Sequence, residues 1–200
     1  MLEIFSGENL INLIRTISYL GLFLIIFAET GLFFGFFFPG DSLLFATGLL
    51  ASQGNLSLPL SIAIIFIAAV LGNIVGYVFG KKVGPKIFTK ENSLFFHKNN
   101  ILKAQAFYEK HGAKTIIITR FIPIIRTFAP IVAGIGNMDY KKFLTYNIIG
   151  GLIWSFGIIS AGYYLGTTVK NIDKYIAPII ILIIVVSFIP AIIEIFKKHD

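Results

Sequence analysis

Apolar residues run along this chain in long unbroken blocks, without the alternation of a half-buried strand or the polar stripe of a soluble helix. Three blocks, Leu60 to Gly80, Phe143 to Gly166 and Tyr175 to Phe196, meet the roughly 20 residues a helix needs to cross about 30 Å of hydrocarbon. A fourth, Ile17 to Phe38, is long enough to cross fully but carries Glu29 and stops at Pro39-Gly40-Asp41. A further apolar stretch, Thr115 to Met138, is interrupted by Arg120, Pro123, Arg126 and Pro130. The pattern predicts an all-α integral membrane fold in which some segments cross and others are broken at depth.

Proline removes a backbone donor and clashes with the preceding turn, and broken backbone at membrane depth is tolerated only where protein or a wet cavity covers it. Pro39, Gly40, Pro123 and Pro130 are therefore expected to act as hairpin breakers. Residues 115–138 read as one re-entrant hairpin. An apolar arm ending at Phe38, the Pro39-Gly40 break and a shorter arm from Leu43 to Ala51 read as another, closed by the turn Ser52-Gln53-Gly54-Asn55. Ahead of them, Leu2 to Ile14 has the look of a surface helix.

The two broken segments resemble each other. Glu29 precedes Pro39 by ten residues, and Arg120 precedes Pro130 by ten. Each segment is followed by a span that carries a Gly-Tyr-x-x-Gly pentapeptide, "GYVFG" at 76–80 and "GYYLG" at 162–166. Such self-similarity predicts a duplicated unit. With a single complete span between the copies, the second would enter from the opposite face, as in the inverted repeats of transporters. The expected organisation is one membrane domain over 1–200. Its first repeat covers about 17–80, a linker 81–114, its second repeat about 115–166, and a C-terminal helix 175–196.

Composition agrees. Hydrophobic residues make up 56% and charged residues 14%, against about a quarter charged in a soluble domain. A net charge of +7 raises the question of nucleic acid, but eight of the 17 basic residues lie between Lys81 and Lys114, beside a predicted span. Such a juxtamembrane cluster belongs on the cytoplasmic side, against anionic head groups. With 115–138 re-entrant, Lys141, Lys142, Lys197 and Lys198 fall on that side too. Within the linker, Ile101 to Lys110 suits a short amphipathic surface helix. No short apolar region followed by a small-residue cleavage site is seen at the N-terminus, which reads as mature protein. The absence of cysteine excludes disulfides, thiolate metal sites and cysteine nucleophiles. His97, His111 and His199 show no ligand spacing, so no metal or other cofactor is expected.

Four ionisable residues fall within or beside the broken segments: Glu29, Asp41, Arg120 and Arg126. A charge at the centre of a spanning helix costs about 2.5–3.5 kcal/mol, so such groups face a cavity or one another. Two acid–arginine pairs that only pin the hairpins would satisfy that demand. A functional role follows from the difference between the charge types. Arginine keeps its proton and its planar fork suits phosphate, which makes Arg120 and Arg126 candidate lipid-phosphate ligands. Desolvation raises a carboxyl pKa and a neighbouring arginine lowers it, so Glu29 and Asp41 could exchange protons during a cycle. All four are expected to meet in one hydrated pocket. Gly72, Gly76, Gly80, Gly162 and Gly166 suit close helix packing, and Trp154, Tyr163 and Tyr164 read as packing or interfacial aromatics.

The stretches "ETGLFFGFFFPGDSLL" at 29–44, "GYVFGKKVG" at 76–84, "FYEKHGAKTIIITRFIPIIRTFAPIVAG" at 107–134 and "GYYLG" at 162–166 resemble the DedA family of small membrane proteins. That family shares a domain with eukaryotic lipid scramblases of the autophagy pathway. The resemblance implies a transporter of the bacterial cytoplasmic membrane, linked to the proton motive force, that moves a lipid phosphate such as undecaprenyl phosphate. It also implies that Glu29, Asp41, Arg120 and Arg126 are the functional set. Its partners would be membrane lipids and protons, and a homo-oligomer is compatible with it. A flippase for a phospholipid such as phosphatidylethanolamine, or an energy-independent scramblase, fits the same residues. A lipid phosphatase using Asp41 or Ser42 fits less well, because "GDS" lacks a nucleophile elbow and no histidine lies in a predicted membrane segment. A scaffold with purely structural charges is the remaining alternative.

Overall fold

The computed structural model describes residues 7–32, 40–87, 108 and 110–169. Pro39, most of the basic linker with His97, and the apolar block Tyr175 to Phe196 lie outside the described residues, as does His199. Helices whose bounds fall among the described residues are, in order, α1 (Gly7–Gly31), α2 (Gly40–Ser52), α3 (Leu58–Ile87), α4 (Thr115–Thr119), α5 (Pro123–Ile135) and α6 (Tyr140–Thr168). There is no strand among the described residues.

Among the described residues, two helices are long and apolar enough to cross a membrane, Leu58–Val83 within α3, with mean hydropathy 2.5, and Tyr140–Thr168, which is α6, with 1.6. Both run past the apolar blocks that predicted them. α3 continues through Gly84-Pro85 to Ile87, because a proline removes one helical hydrogen bond and need not end a long helix. α1 (Gly7–Gly31) joins Gly7 to Ile14, the described part of the expected surface helix, to the apolar block without a break; residues 2–6 and 33–38 of those two stretches lie outside the described residues.

The long helices are apolar on the outside. On α3, Leu60, Ile67, Leu71, Val75, Val78 and Phe79 are exposed, and on α6, Ile148, Ile149, Leu152, Ile153 and Phe156. The opposite faces bury Ser61, Asn73, Asn147 and Ser155. A soluble helix has the reverse arrangement. Hydrocarbon as solvent accounts for it, since polar side chains in lipid must turn toward protein.

The described residues fall into two compact units, one drawn from 7–26, 40–68 and 155–169, the other from 27–32, 69–87, 108 and 110–154. In the first, α2 crosses the C-terminal half of α6. A Cβ added at Gly48 would strike the Ile159 carbonyl and the Tyr163 nitrogen, and one added at Gly162 would strike the Phe45 carbonyl. The α2–α3 connection turns at Gly54, with φ +77°. The Ser57 N–H then donates to the Tyr19 hydroxyl at 2.7 Å, tying that turn to α1.

In the second unit, α5 crosses the C-terminal half of α3 by the same device. A Cβ at Gly134 would strike the Tyr77 carbonyl and the Lys81 nitrogen, and one at Gly80 the Ile131 carbonyl. The spacings coincide: Phe45 and Gly48 match Ile131 and Gly134, while Ile159 and Gly162 match Tyr77 and Gly80. Each crossing lets two backbones touch, which lipid favours because packing, and not expulsion from water, holds membrane helices together. The correspondence does not keep the register of the pentapeptides, since Gly80 ends the first of them and Gly162 begins the second. Around the second crossing Tyr77 stacks on Phe143 at 4.4 Å and donates to the Met138 carbonyl at 2.5 Å. Tyr108 donates to the Ala129 carbonyl at 2.8 Å, and burial pushes its phenol above the ordinary range, so it stays a neutral donor.

Gly48→Ala and Gly134→Ala should each lower stability by about 1–3 kcal/mol, the usual effect of overpacking, measured by thermal unfolding in detergent. Gly157→Ala meets nothing within 4 Å and should raise stability by about 0.5–1 kcal/mol through helix propensity. A neutral outcome at both Gly48 and Gly134 would contradict backbone contact at the two crossings.

Candidate functional site

The second unit gathers polar groups from five helices. α1 delivers Glu29 and Thr30 in its last turn because Gly31 and Gly72 let it press on α3; a Cβ on Gly31 would lie 2.9 Å from the Gly72 Cα. α3 contributes Asn73, the residue after that contact. On α6, Asn147, Gly150 and Trp154 share one face, at helical spacings of three and four.

Arg120 and Arg126 flank a break in the backbone. Arg120 closes α4, its N–H donating to the Ile117 carbonyl at 3.3 Å. Ile122 is extended, at φ −113° and ψ 108°, as the residue before a proline tends to be. Pro123 then opens α5 at a position where its missing N–H is not needed. Pro130 behaves otherwise than its label as a breaker suggests, because α5 continues through it to Ile135. A proline there withdraws the N–H that would bond the Arg126 carbonyl four residues back, and leaves the rest of the helix intact. The interruption is at residues 120–122. Gly40 is the first residue of α2.

Arg126 Nη2 donates to Oε1 of Glu29 in a buried ion pair, with the two side chains 4% and 1% exposed. Thr127 Oγ1 donates to the Glu29 carbonyl at 3.3 Å, fixing the turn that presents the acid. Arg120, 2% exposed, has a different environment. Its Nη2 donates to Asn147 Oδ1 at 2.6 Å, and Asn147 Nδ2 donates to the Val70 carbonyl at 3.1 Å. The Asn73 amide joins them in either orientation. It donates to Asn147 Oδ1 at 2.9 Å, or, turned over, accepts from Arg120 Nη2 at 2.7 Å and donates to the Thr30 carbonyl at 3.3 Å. Both guanidinium groups lie over the Trp154 indole, their Cζ atoms 5.7 Å (Arg120) and 5.0 Å (Arg126) from its centroid. Gly150 lets α6 approach α4 closely, a Cβ there lying 3.2 Å from the Ile117 Cα.

The two arginines are therefore unlike. Arg126 is paired with a carboxylate, whereas Arg120 is held by neutral amides and an indole face. Its Nε and Nη1 meet no hydrogen-bond acceptor among the described residues. Of the four expected site residues, Glu29, Arg120 and Arg126 come together in this unit. Asp41, half-buried, stands in the first turn of α2 in the other, where a helix N-terminus favours an acid. Sequence reasoning missed Asn73 and Asn147, although amides inside apolar spans are a signal in themselves, and treated Trp154 as a packing aromatic.

Removing one partner of a buried pair strands the other charge, at about 3–5 kcal/mol, while replacing both with apolar groups is often neutral. Glu29→Ala should accordingly unfold at a markedly lower temperature than wild type. The double change Glu29→Leu with Arg126→Met should recover much of the loss. A double variant as unstable as the sum of its singles would show that the two residues do not interact.

Residues 38–164 match the VTT domain. Protein DedA of Escherichia coli (strain K12) is 46% identical over 181 residues, which cover 90% of this chain and 82% of that protein. The uncharacterized membrane protein Rv0364 of Mycobacterium tuberculosis (strain ATCC 25618 / H37Rv) is 42% identical over 178 residues, 87% of this chain and 77% of its own. The inner membrane protein YqjA of Escherichia coli (strain K12) is 36% identical over 155 residues, covering 75% and 68%. No solved structure matches. Matching this domain over more than half its length, and these relatives over most of it, the chain belongs to the DedA family of membrane proteins.

Proposed function

We propose that this protein is a multi-pass transporter of the bacterial cytoplasmic membrane, not an enzyme, and that it flips a lipid phosphate, undecaprenyl phosphate or another polyprenyl phosphate, in a cycle linked to the proton motive force. The observation that carries this reading is the pair of buried arginines on one indole, one neutralised by Glu29 and the other bearing N–H donors with no acceptor among the described residues. Guanidinium groups bind phosphate oxygens with directed, charge-assisted hydrogen bonds. Keeping two of them inside an apolar chain is costly unless they serve such a ligand.

Competition at Arg126 supplies the coupling. A phosphate that draws Arg126 away from Glu29 takes the guanidinium from a carboxylate in a low-dielectric core, and burial without that cation favours the protonated acid. When the phosphate leaves, Arg126 returns and the proton is released. Asp41 serves as a second proton-exchanging acid. The matched crossings of α2 on α6 and of α5 on α3 serve as the two halves of an inverted repeat, whose hairpins dip from opposite faces so that the head group meets water on each side in turn. The lipid tail stays in hydrocarbon throughout. The basic linker and the C-terminus face the cytoplasm.

The test uses the full chain reconstituted in vesicles that contain polyprenyl phosphate, with phosphatidylethanolamine as the second substrate, and follows head-group accessibility in both leaflets. Arg126→Lys keeps a charge but loses the fork, and should slow transport of the phosphate about tenfold or more. Unchanged transport would refute phosphate binding at Arg126. Dissipating the proton gradient should stop net transport, and transport that persists would make the protein an energy-independent scramblase. Preferred movement of phosphatidylethanolamine would assign the phospholipid as cargo.

A further inference from the structure

We propose that Arg120 is the resident phosphate ligand of this site and that Asn147 is the positioning residue that keeps it available, a division of labour that rests on the transport reading above. An arginine buried at 2% exposure needs its charge dispersed. A carboxylate would do so most cheaply but would also occupy the cation. Asn147 disperses it without neutralising it, accepting from Nη2 at 2.6 Å while its own amide nitrogen is anchored on the Val70 carbonyl at 3.1 Å. That anchor sets the orientation of the amide, so Oδ1 and not Nδ2 faces the cation. Trp154 supports the guanidinium from its face, where a ring quadrupole attracts a cation without taking any N–H. Nε and Nη1 remain for the oxygens of a phosphate monoester.

The chain contains a single tryptophan, and it is the residue under both arginines, so tryptophan emission, excited selectively over the tyrosines, reports on this site. The full chain in nanodiscs of uncharged lipid is titrated with an isoprenyl monophosphate, with inorganic phosphate and with the corresponding isoprenol. For the wild type the monophosphate should change Trp154 emission saturably and the alcohol should not. A response to inorganic phosphate of equal affinity would identify a free-phosphate site and not a lipid site.

Asn147→Asp has the same shape but sets a carboxylate against Arg120, and Asn147→Ala removes the acceptor. Each should weaken the monophosphate midpoint by about tenfold or more, the weight of one hydrogen bond to a charged group. Thermal unfolding without ligand separates folding from binding, and Asn147→Asp serves if the alanine variant fails to fold. Arg120→Met should abolish the response, whereas Arg126→Met should retain a weakened one. Wild-type affinity in a folded Asn147→Asp chain overturns the positioning role. Loss of binding in Arg126→Met with retention in Arg120→Met overturns the division of labour. If the wild type itself gives no monophosphate response, the phosphate reading fails along with this proposal.

Discussion

A carboxylate and a guanidinium joined inside an apolar chain, Glu29 with Arg126, constrain everything around them. Neither residue could be inserted alone at the centre of a bilayer without a cost of about 2.5–3.5 kcal/mol, and together they demand that the end of α1 and the start of α5 arrive at one place. The surrounding contacts meet that demand. Thr127 anchors the Glu29 carbonyl, Gly31 and Gly72 bring α1 against α3, and Pro123 starts α5 so that Arg126 lies one turn inside it.

The glycine crossings are the mechanical counterpart of this electrostatic arrangement. A short helix in lipid gains nothing from burying leucine, because lipid tails are as apolar as its own side chains. α5, 13 residues long, is held instead by backbone contact at Gly134 and Gly80, together with tyrosine hydroxyls that donate to main-chain carbonyls. α2, also 13 residues, is held by the equivalent pair Gly48 and Gly162. Both short helices are thus fixed by geometry that tolerates no added methyl group, and that rigidity suits a site in which guanidinium positions matter to within an ångström.

Much of this was legible in the chain because lipid writes a coarse signal. Blocks of about 20 apolar residues exposed α3 and α6, and four charges inside apolar runs singled out Glu29, Asp41, Arg120 and Arg126. Duplicated Gly-Tyr-x-x-Gly pentapeptides pointed to a repeat, whereas the glycine contacts pair Gly80 with Gly162, four residues out of the register that aligns Gly76 with Gly162. Finer features escaped for physical reasons. Pro130 looks like Pro123 in the sequence, yet one begins a helix and the other lies within it, because a proline's effect depends on whether the carbonyl four residues back belongs to the same helix. Asn73 and Asn147 are 74 residues apart, and only the fold shows that they share a cation.

Trp154 brings the strands of the argument together. Two cations in a low-dielectric interior repel each other strongly, and one carboxylate can neutralise one of them. An indole that faces both attracts each without choosing between them and carries no charge that an incoming anion would have to displace. Asn147 does the same through a neutral dipole. A site built from such groups keeps a cation ready at almost no exposure to water, and it leaves Glu29 as the one group in this unit's cluster whose charge a proton can cancel. In the proposed cycle, the difference between neutral support at Arg120 and ionic support at Arg126 is what would let a single anion change the protonation of a single acid.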